Sequence, residues 1–116
     1  MNFFTPAEVA KNYIATGKSK VNTPIPKMII LAILAGAFIG FGGVGATTVA
    51  VSITEPSLGK FIGACVFPGG LTMVLIAGSE LFTGNCLLTI PLLEKEITVS
   101  QMLKNWVIVY IGNLIG

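Results

Sequence analysis

FIGACVFPGGLTMVLIAGSELFTGNCLLTIPLL, Phe61 to Leu93, is apolar almost throughout and carries one charge, Glu80. As one straight helix it would run about 50 Å, whereas a bilayer's hydrocarbon core is about 30 Å thick and is crossed by about 20 residues. The surplus has to leave helical geometry somewhere. Around the carboxylate the sequence turns to helix breakers and polar groups: Gly78, Ser79, Thr83, Gly84 and Asn85. Unwound backbone at membrane depth is tolerated only where protein buries it or where it lines a water-filled cavity, and transporters build midplane sites from such interrupted spans. Gly78 to Asn85 is therefore expected to be a break that lines a pore.

The rest of the chain fits that setting. It is 53% hydrophobic and 10% charged, with a mean hydropathy of +0.88, whereas roughly a quarter of the residues of soluble domains are charged. An all-α integral membrane protein follows. A first span is expected at about 28–53, since Met28 to Ile53 holds no charge and is too long for a signal peptide. An interrupted second span is expected at about 60–93 and the start of a third at about 99–116. The last apolar run, Trp106 to Gly116, is too short to cross alone, which points to a piece of a longer protein.

Lysines set the orientation, because cytoplasmic loops are rich in them. Lys11, Lys18, Lys20 and Lys27 precede the first span, Lys60 alone lies between the spans, and Lys95 and Lys104 follow the second. The N-terminus is expected on the cytoplasmic side. The net charge of +2 is then topology information and gives no reason to invoke nucleic acid. With no His or Asp, and with Cys65 and Cys86 placed as small packing residues in the second span, the chain offers neither a metal site nor a catalytic triad. No cofactor is expected, and no enzyme.

Residues 1–22 form an amphipathic segment of their own. Thr5 can cap a helix, Pro6 suits its first position and Glu8 completes a capping box. Phe4 and Val9 sit at staple spacing; Val9, Tyr13 and Gly17 share a face away from Lys11 and Lys18. A helix lying on the membrane interface as a simple anchor is expected, ending at Gly17. Pro24 and Pro26 separate it from the membrane domain, residues 27–116. In the first span Gly36 and Gly40, continued by Gly43, Gly45 and Ala46, suit close helix packing in lipid. Ile53 to Gly59 is expected to be an outer turn. Pro68, Gly69 and Gly70 are a second weak point in the interrupted span, Glu94 to Ser100 is a charged loop, and Thr98 to Gln101 caps the third helix.

At GSELFTGN, Gly78 to Asn85, the chain resembles the signature of the formate/nitrite transporter family. KNW at Lys104 to Trp106, followed by GNLIG at Gly112 to Gly116, resembles that family's third helix, and TPAEVAKNYIATGKSK resembles its N-terminal amphipathic helix. The resemblance implies an aquaporin-like bundle of two inverted three-helix repeats, of which this chain covers about the first. It also implies a homopentamer in the cell inner (cytoplasmic) membrane with one pore per protomer. The substrates would be small monovalent anions, formate, nitrite or hydrosulfide, often moved with protons. Carried over by position, Phe67, Leu71, Leu81 and Phe82 would form apolar constrictions and Thr83 would hydrogen-bond the permeating species. Glu80, with Gly78, Gly84 and Asn85, would hold the unwound loop, and Lys104, Asn105, Trp106 and Asn113 would mark the third helix. GSELFTGN differs from the GADLFTS of familiar formate channels, which leans the substrate towards formate or hydrosulfide.

Elementary electrostatics supports such a division of labour. Moving an anion into a low-dielectric passage costs on the order of 20 kcal/mol in the idealised limit and several after relaxation, while a neutral acid escapes most of that. Lysines at a mouth and apolar rings inside would attract the anion and then favour its protonation. Glu80 is expected to pin the unwound N–H groups beside it; the competing role is proton carriage. An aquaporin-like pore for neutral solutes, or a membrane subunit that only packs through its glycine face, are the other readings.

Overall fold

The computed structural model describes residues 3–116; Met1 and Asn2 of the expected N-terminal segment lie outside them. Among the described residues the chain is helical with no strands. α1 spans Pro6–Val21. The hydroxyl of Thr5 accepts the Glu8 N–H at 3.4 Å, while the Glu8 carboxylate accepts the Thr5 N–H at 2.7 Å and the Thr5 hydroxyl at 2.8 Å, and these last two bonds hold the Glu8 carboxyl below its usual range. The helix runs on through Gly17, where termination was expected. Gly17 stays helical and is buried on a later turn: a Cβ there would come within 2.7 Å of the Pro91 ring. Its small size serves close approach, and α1 ends at Val21.

α2 spans Ile25–Ala50, about three residues earlier at both ends than the expected 28–53. Pro24 caps it and Pro26 lies in its first turn, where the missing N–H would have had no partner anyway. α3 spans Pro56–Val66 and likewise starts earlier than expected, because Glu55 caps it through the Ser57 N–H at 3.1 Å. The outer turn shrinks to residues 51–55. α4 spans Pro68–Ala77 and continues α3 through a helical Phe67. Together Pro56–Ala77 makes 22 residues, about 33 Å. This pair and α2 are long and apolar enough to cross a membrane, and the protein is an all-α membrane protein.

After a break come α5, Phe82–Asn85, a 3₁₀ turn at Cys86–Leu88, α6, Thr89–Leu93, and α7, Val99–Ile115, opened by a Thr98–Gln101 capping box. α2 is the spine. α7 packs on its first half, where Met28 and Ala32 meet Val109, and α3 and α4 pack on its second half. Glycines allow the closest crossings: a Cβ on Gly42 would come within 2.8 Å of the Phe67 carbonyl, and one on Gly70 within 2.7 Å of the Phe38 carbonyl. Gly36 abuts the Asn113 backbone, but Gly40 and Gly43 meet nothing within 4 Å. Gly36 thus serves the crossing with α7 and Gly42 the crossing at Phe67 and Gly70, with Gly45 and Ala46 continuing the second against Val66 and Gly63, while Gly40 of the expected Gly36 and Gly40 pair takes no part.

Candidate functional site

Gly78 ends α4 in the left-handed conformation, φ 62° and ψ 34°. Its N–H donates to the Leu75 carbonyl at 3.3 Å and the Ser79 N–H donates to the Val74 carbonyl at 3.0 Å, the paired bonds of a glycine-capped helix end. Helical geometry is lost only from Gly78 to Leu81, because the Asn85 N–H already closes a turn on the Leu81 carbonyl at 3.0 Å. The break is half as long as Gly78 to Asn85. Its depth is set by the Glu80 N–H, which donates to the Leu31 carbonyl of α2 at 3.2 Å. Leu31 lies about 9 Å along a helix of about 39 Å, nearer the start of α2 than its middle.

Asn113 supplies most of the fastening. Its amide nitrogen donates to the Ala32 carbonyl at 2.8 Å and the Glu80 carbonyl at 2.9 Å, while its oxygen accepts the Phe82 N–H at 2.8 Å. One side chain on α7 therefore ties α2, the break and α5 together. The unwound N–H groups accordingly go to Leu31 and Asn113, not to the Glu80 carboxylate as expected. That carboxylate is 5% exposed; Oε1 accepts from Lys20 Nζ at 2.9 Å and Oε2 from Asn85 Nδ2 at 2.7 Å. Asn85 also donates to Asn105 Oδ1 at 2.8 Å, and its carbonyl accepts the Trp106 indole N–H at 2.8 Å. Glu80 thus meets the loop through side chains. Lys104 is exposed and makes no hydrogen bond or ion pair among the described residues.

Ser79 to Leu81 is non-helical, with Leu81 itself extended at φ −106° and ψ 129°, and neighbouring residues of the break line different recesses. Ser79 and Leu81 line a recess of about 400 Å³ together with Leu71, Thr83, Tyr13 and Lys20, whereas Gly78 and Glu80 border a second recess of about 490 Å³. Leu71, Leu81 and Thr83 are thereby brought together. Phe67 and Phe82 do not join them. The alternation ends at Leu81, where the helix restarts, and Phe82 turns away to pack edge-on against Trp106 and Tyr110, with centroids 6.0 and 5.4 Å apart.

Two contributors come from α1, which sequence reasoning treated as an anchor. Lys20 reaches Glu80, and the Tyr13 hydroxyl donates to the Gly84 carbonyl at 3.2 Å. Burial raises the Tyr13 pKa above the usual tyrosine value, with the neighbouring Glu80 and Cys86 adding to the rise, so the hydroxyl keeps its proton. The signal was present: Lys20 continues the Tyr13, Gly17 face at helical spacing.

The model of the formate/nitrite transporter family matches residues 7–116. The chain belongs to the formate/nitrite transporter family. A probable formate transporter of Methanothermobacter thermautotrophicus is 40% identical over 99% of this chain and 44% of its own length. The formate channel BtFdhC of Bacillus thuringiensis is 40% identical over 100% of this chain and 46% of its own. The formate channel FocA of Escherichia coli K12 is 35% identical over 96% and 40%. The chain spans less than half the length of these relatives. No solved structure matches it. The formate/nitrite transporter match takes in α1 from Ala7 onwards, so Tyr13 and Lys20 fall inside it as well as the break. A transporter family, and no enzyme, is what the chain belongs to.

Proposed function

We propose that the protein passes small monovalent anions, formate first, through a pore for which this chain supplies one half of the wall. The observation that carries the proposal is the meeting of Leu71, Leu81 and Thr83 around one recess beside an unwound, internally fastened backbone. Apolar side chains with a single hydroxyl suit a species that has lost its hydration and its charge, since an anion there would bear the desolvation cost while its protonated acid would not. Transient protonation between two apolar constrictions follows from the same argument. Leu71 and Leu81 form one of them. Phe67 stands at the far end of α4, and Phe82 packs on α7 against Trp106 and Tyr110, outside the Leu71 and Leu81 recess. Glu80 holds the loop and does not shuttle the proton, because both its oxygens are engaged by Lys20 and Asn85.

The names of the relatives favour formate; hydrosulfide and nitrite share the size and charge that the recess would read. On this proposal the whole protein is a homopentamer of six-helix, aquaporin-like protomers in the inner membrane. α1 lies on the cytoplasmic interface with the N-terminus inside, and a second inverted three-helix repeat closes the pore. Formate flux into proteoliposomes containing the full-length protein tests this reading. Flux is expected to rise as the pH falls from about 7 to 5 and to collapse in Leu81→Asp, which puts a charge in the passage. Absence of formate, nitrite and hydrosulfide flux from assembled protein would overturn it.

A further inference from the structure

A third recess, of about 480 Å³, lies between α1 and the end of α6. Its α1 wall is Ala7, Ala10, Lys11 and Ile14, one helical face by their spacing, and not the face from which Tyr13 and Lys20 reach the break. Ile90 and Glu94, one turn apart, make the other wall. The two alanines leave the depression, and the half-buried Ile14 and Ile90 give it an apolar floor. Lys11 and Glu94 are both exposed, and neither side chain makes a hydrogen bond or ion pair among the described residues. Two turns further along α1 the same stripe does close a pair: Lys18 Nζ meets Glu96 Oε2 at 2.6 Å, beside the place where Gly17 brings α1 against Pro91. At Lys11 the recess keeps the opposite charges apart. Residues 81–93 carry no charge, so Glu94 marks where the chain leaves the hydrocarbon, and the exposed Leu93 beside it still faces lipid. The recess therefore sits at headgroup level, with charges on its rim and apolar walls beneath them.

We infer that this recess seats a zwitterionic aminophospholipid of the phosphatidylethanolamine class, with Lys11 on its phosphate and Glu94 on its primary ammonium. An acyl chain leaves over Ile14 and Ile90 towards the hydrocarbon. The guest supplies both charges that the recess leaves unmatched, in the order that a membrane interface layers them. An anionic lipid would satisfy Lys11 but set its phosphate against Glu94. A choline lipid would bring a cation without N–H groups, which cannot form the charge-assisted hydrogen bond that a carboxylate accepts from an ammonium. The bound lipid braces α1 against α6 at the Lys11 end, as the Lys18 and Glu96 pair does at the other. The inference rests on the membrane setting of the fold and not on which solute the protein carries.

Native mass spectrometry of the full-length protein in detergent, offered equal amounts of dioleoyl phosphatidylethanolamine, phosphatidylcholine and phosphatidylglycerol, tests the recess. The ethanolamine lipid is expected to be retained about two- to fivefold over the choline lipid, the range of an exposed ion pair. Glu94→Gln should abolish that preference, and Lys11→Gln should lower retention of all three lipids. Ala10→Leu, which fills the recess without touching a charge, should remove the preference as well, whereas Lys60→Gln, on α3, should change nothing. Thermal unfolding gives a second reading: added ethanolamine lipid should raise the midpoint of the wild type and of Lys60→Gln, and not that of Glu94→Gln or Ala10→Leu. Wild-type retention in all three recess variants would remove the site from this recess. Stronger retention of phosphatidylglycerol than of the ethanolamine lipid would make Lys11 a simple basic contact and overturn the zwitterion assignment. Smaller assemblies in Ala10→Leu, with no lipid preference in the wild type, would make the recess a contact between copies of the chain instead.

Discussion

Two clusters of helix-breaking residues lie ten residues apart in the second apolar segment, at Pro68–Gly70 and at Gly78–Leu81, and they behave differently. At the first, Phe67 keeps helical angles, φ −51° and ψ −41°, and the Gly70 N–H tightens onto the Phe67 carbonyl at 3.0 Å. Pro68 itself has no N–H to donate to the preceding turn. At the second, Gly78 turns left-handed and helical geometry is lost as far as Leu81. Composition alone would favour a break at Pro-Gly-Gly. The surroundings reverse that order: the first cluster faces the α2 backbone and needs small residues for close approach, while Leu31, Asn113, Asn85 and Lys20 offer hydrogen bonds to the second. A helix opens where partners wait for its freed polar groups.

The sharpest way to break this comparison uses two adjacent glycines. A Cβ on Gly70 would come within 2.7 Å of the Phe38 carbonyl oxygen and within 3.2 and 3.3 Å of the Gly42 and Ile39 Cα atoms, all backbone of α2, whereas one on Gly69 meets nothing within 4 Å. Gly70→Ala should therefore lower stability by about 3 kcal/mol, the upper range for overpacking, while Gly69→Ala should be neutral or slightly stabilising through helix propensity. Thermal unfolding of the full-length protein in detergent separates them. Equal effects would mean that the Pro-Gly-Gly cluster acts as a flexible point after all.

Next in size come the fasteners of the true break. Asn113→Ala leaves the Phe82 N–H and the Glu80 carbonyl without partners in a half-buried setting, and about 2 to 3 kcal/mol should be lost. Glu80→Gln keeps an acceptor for Asn85 but removes the counter-charge of Lys20, for a smaller loss of about 1 to 2 kcal/mol. Formate flux should survive in part. Abolished flux with intact assembly would instead assign the carboxylate to proton carriage and undo the contrast between fastening and conduction.

How far these features could be read from the chain depended on the range of the interaction. The capping boxes at Thr5–Glu8 and Thr98–Gln101 are written within four residues, and the charge-free runs show which segments are apolar helices. Span ends shifted because Pro24, Pro26 and Pro56 open helices where breakers were expected to precede them. Gly17 and Gly78 look alike locally; only Pro91, 74 residues on, shows that the first is a contact and the second a turn. Glu80 stood out as a lone carboxylate, but its partner Lys20 lies 60 residues away. The division of Leu81 from Phe82 depended on where the helix restarts, which the spacing of apolar residues does not mark.

The finest test compares two left-handed helix ends. α6 closes as α4 does: the Lys95 N–H donates to the Leu92 carbonyl at 3.0 Å, the Glu96 N–H donates to the Pro91 carbonyl at 2.9 Å, and Lys95 has φ 59°. Here a lysine occupies the place that Gly78 fills in the break, and no buried polar side chains surround it. Gly78→Ala should cost about 1 kcal/mol, purely from the backbone because the space beside it is open. Lys95→Gly should gain about half of that, since relief of the left-handed strain is partly offset by the greater freedom of glycine in the unfolded chain. Amide exchange at Ser79 and Glu96 reads each end directly. If Gly78→Ala leaves exchange at Ser79 unchanged while Lys95→Gly slows it at Glu96, the polar partners alone open the break and the glycine merely permits it.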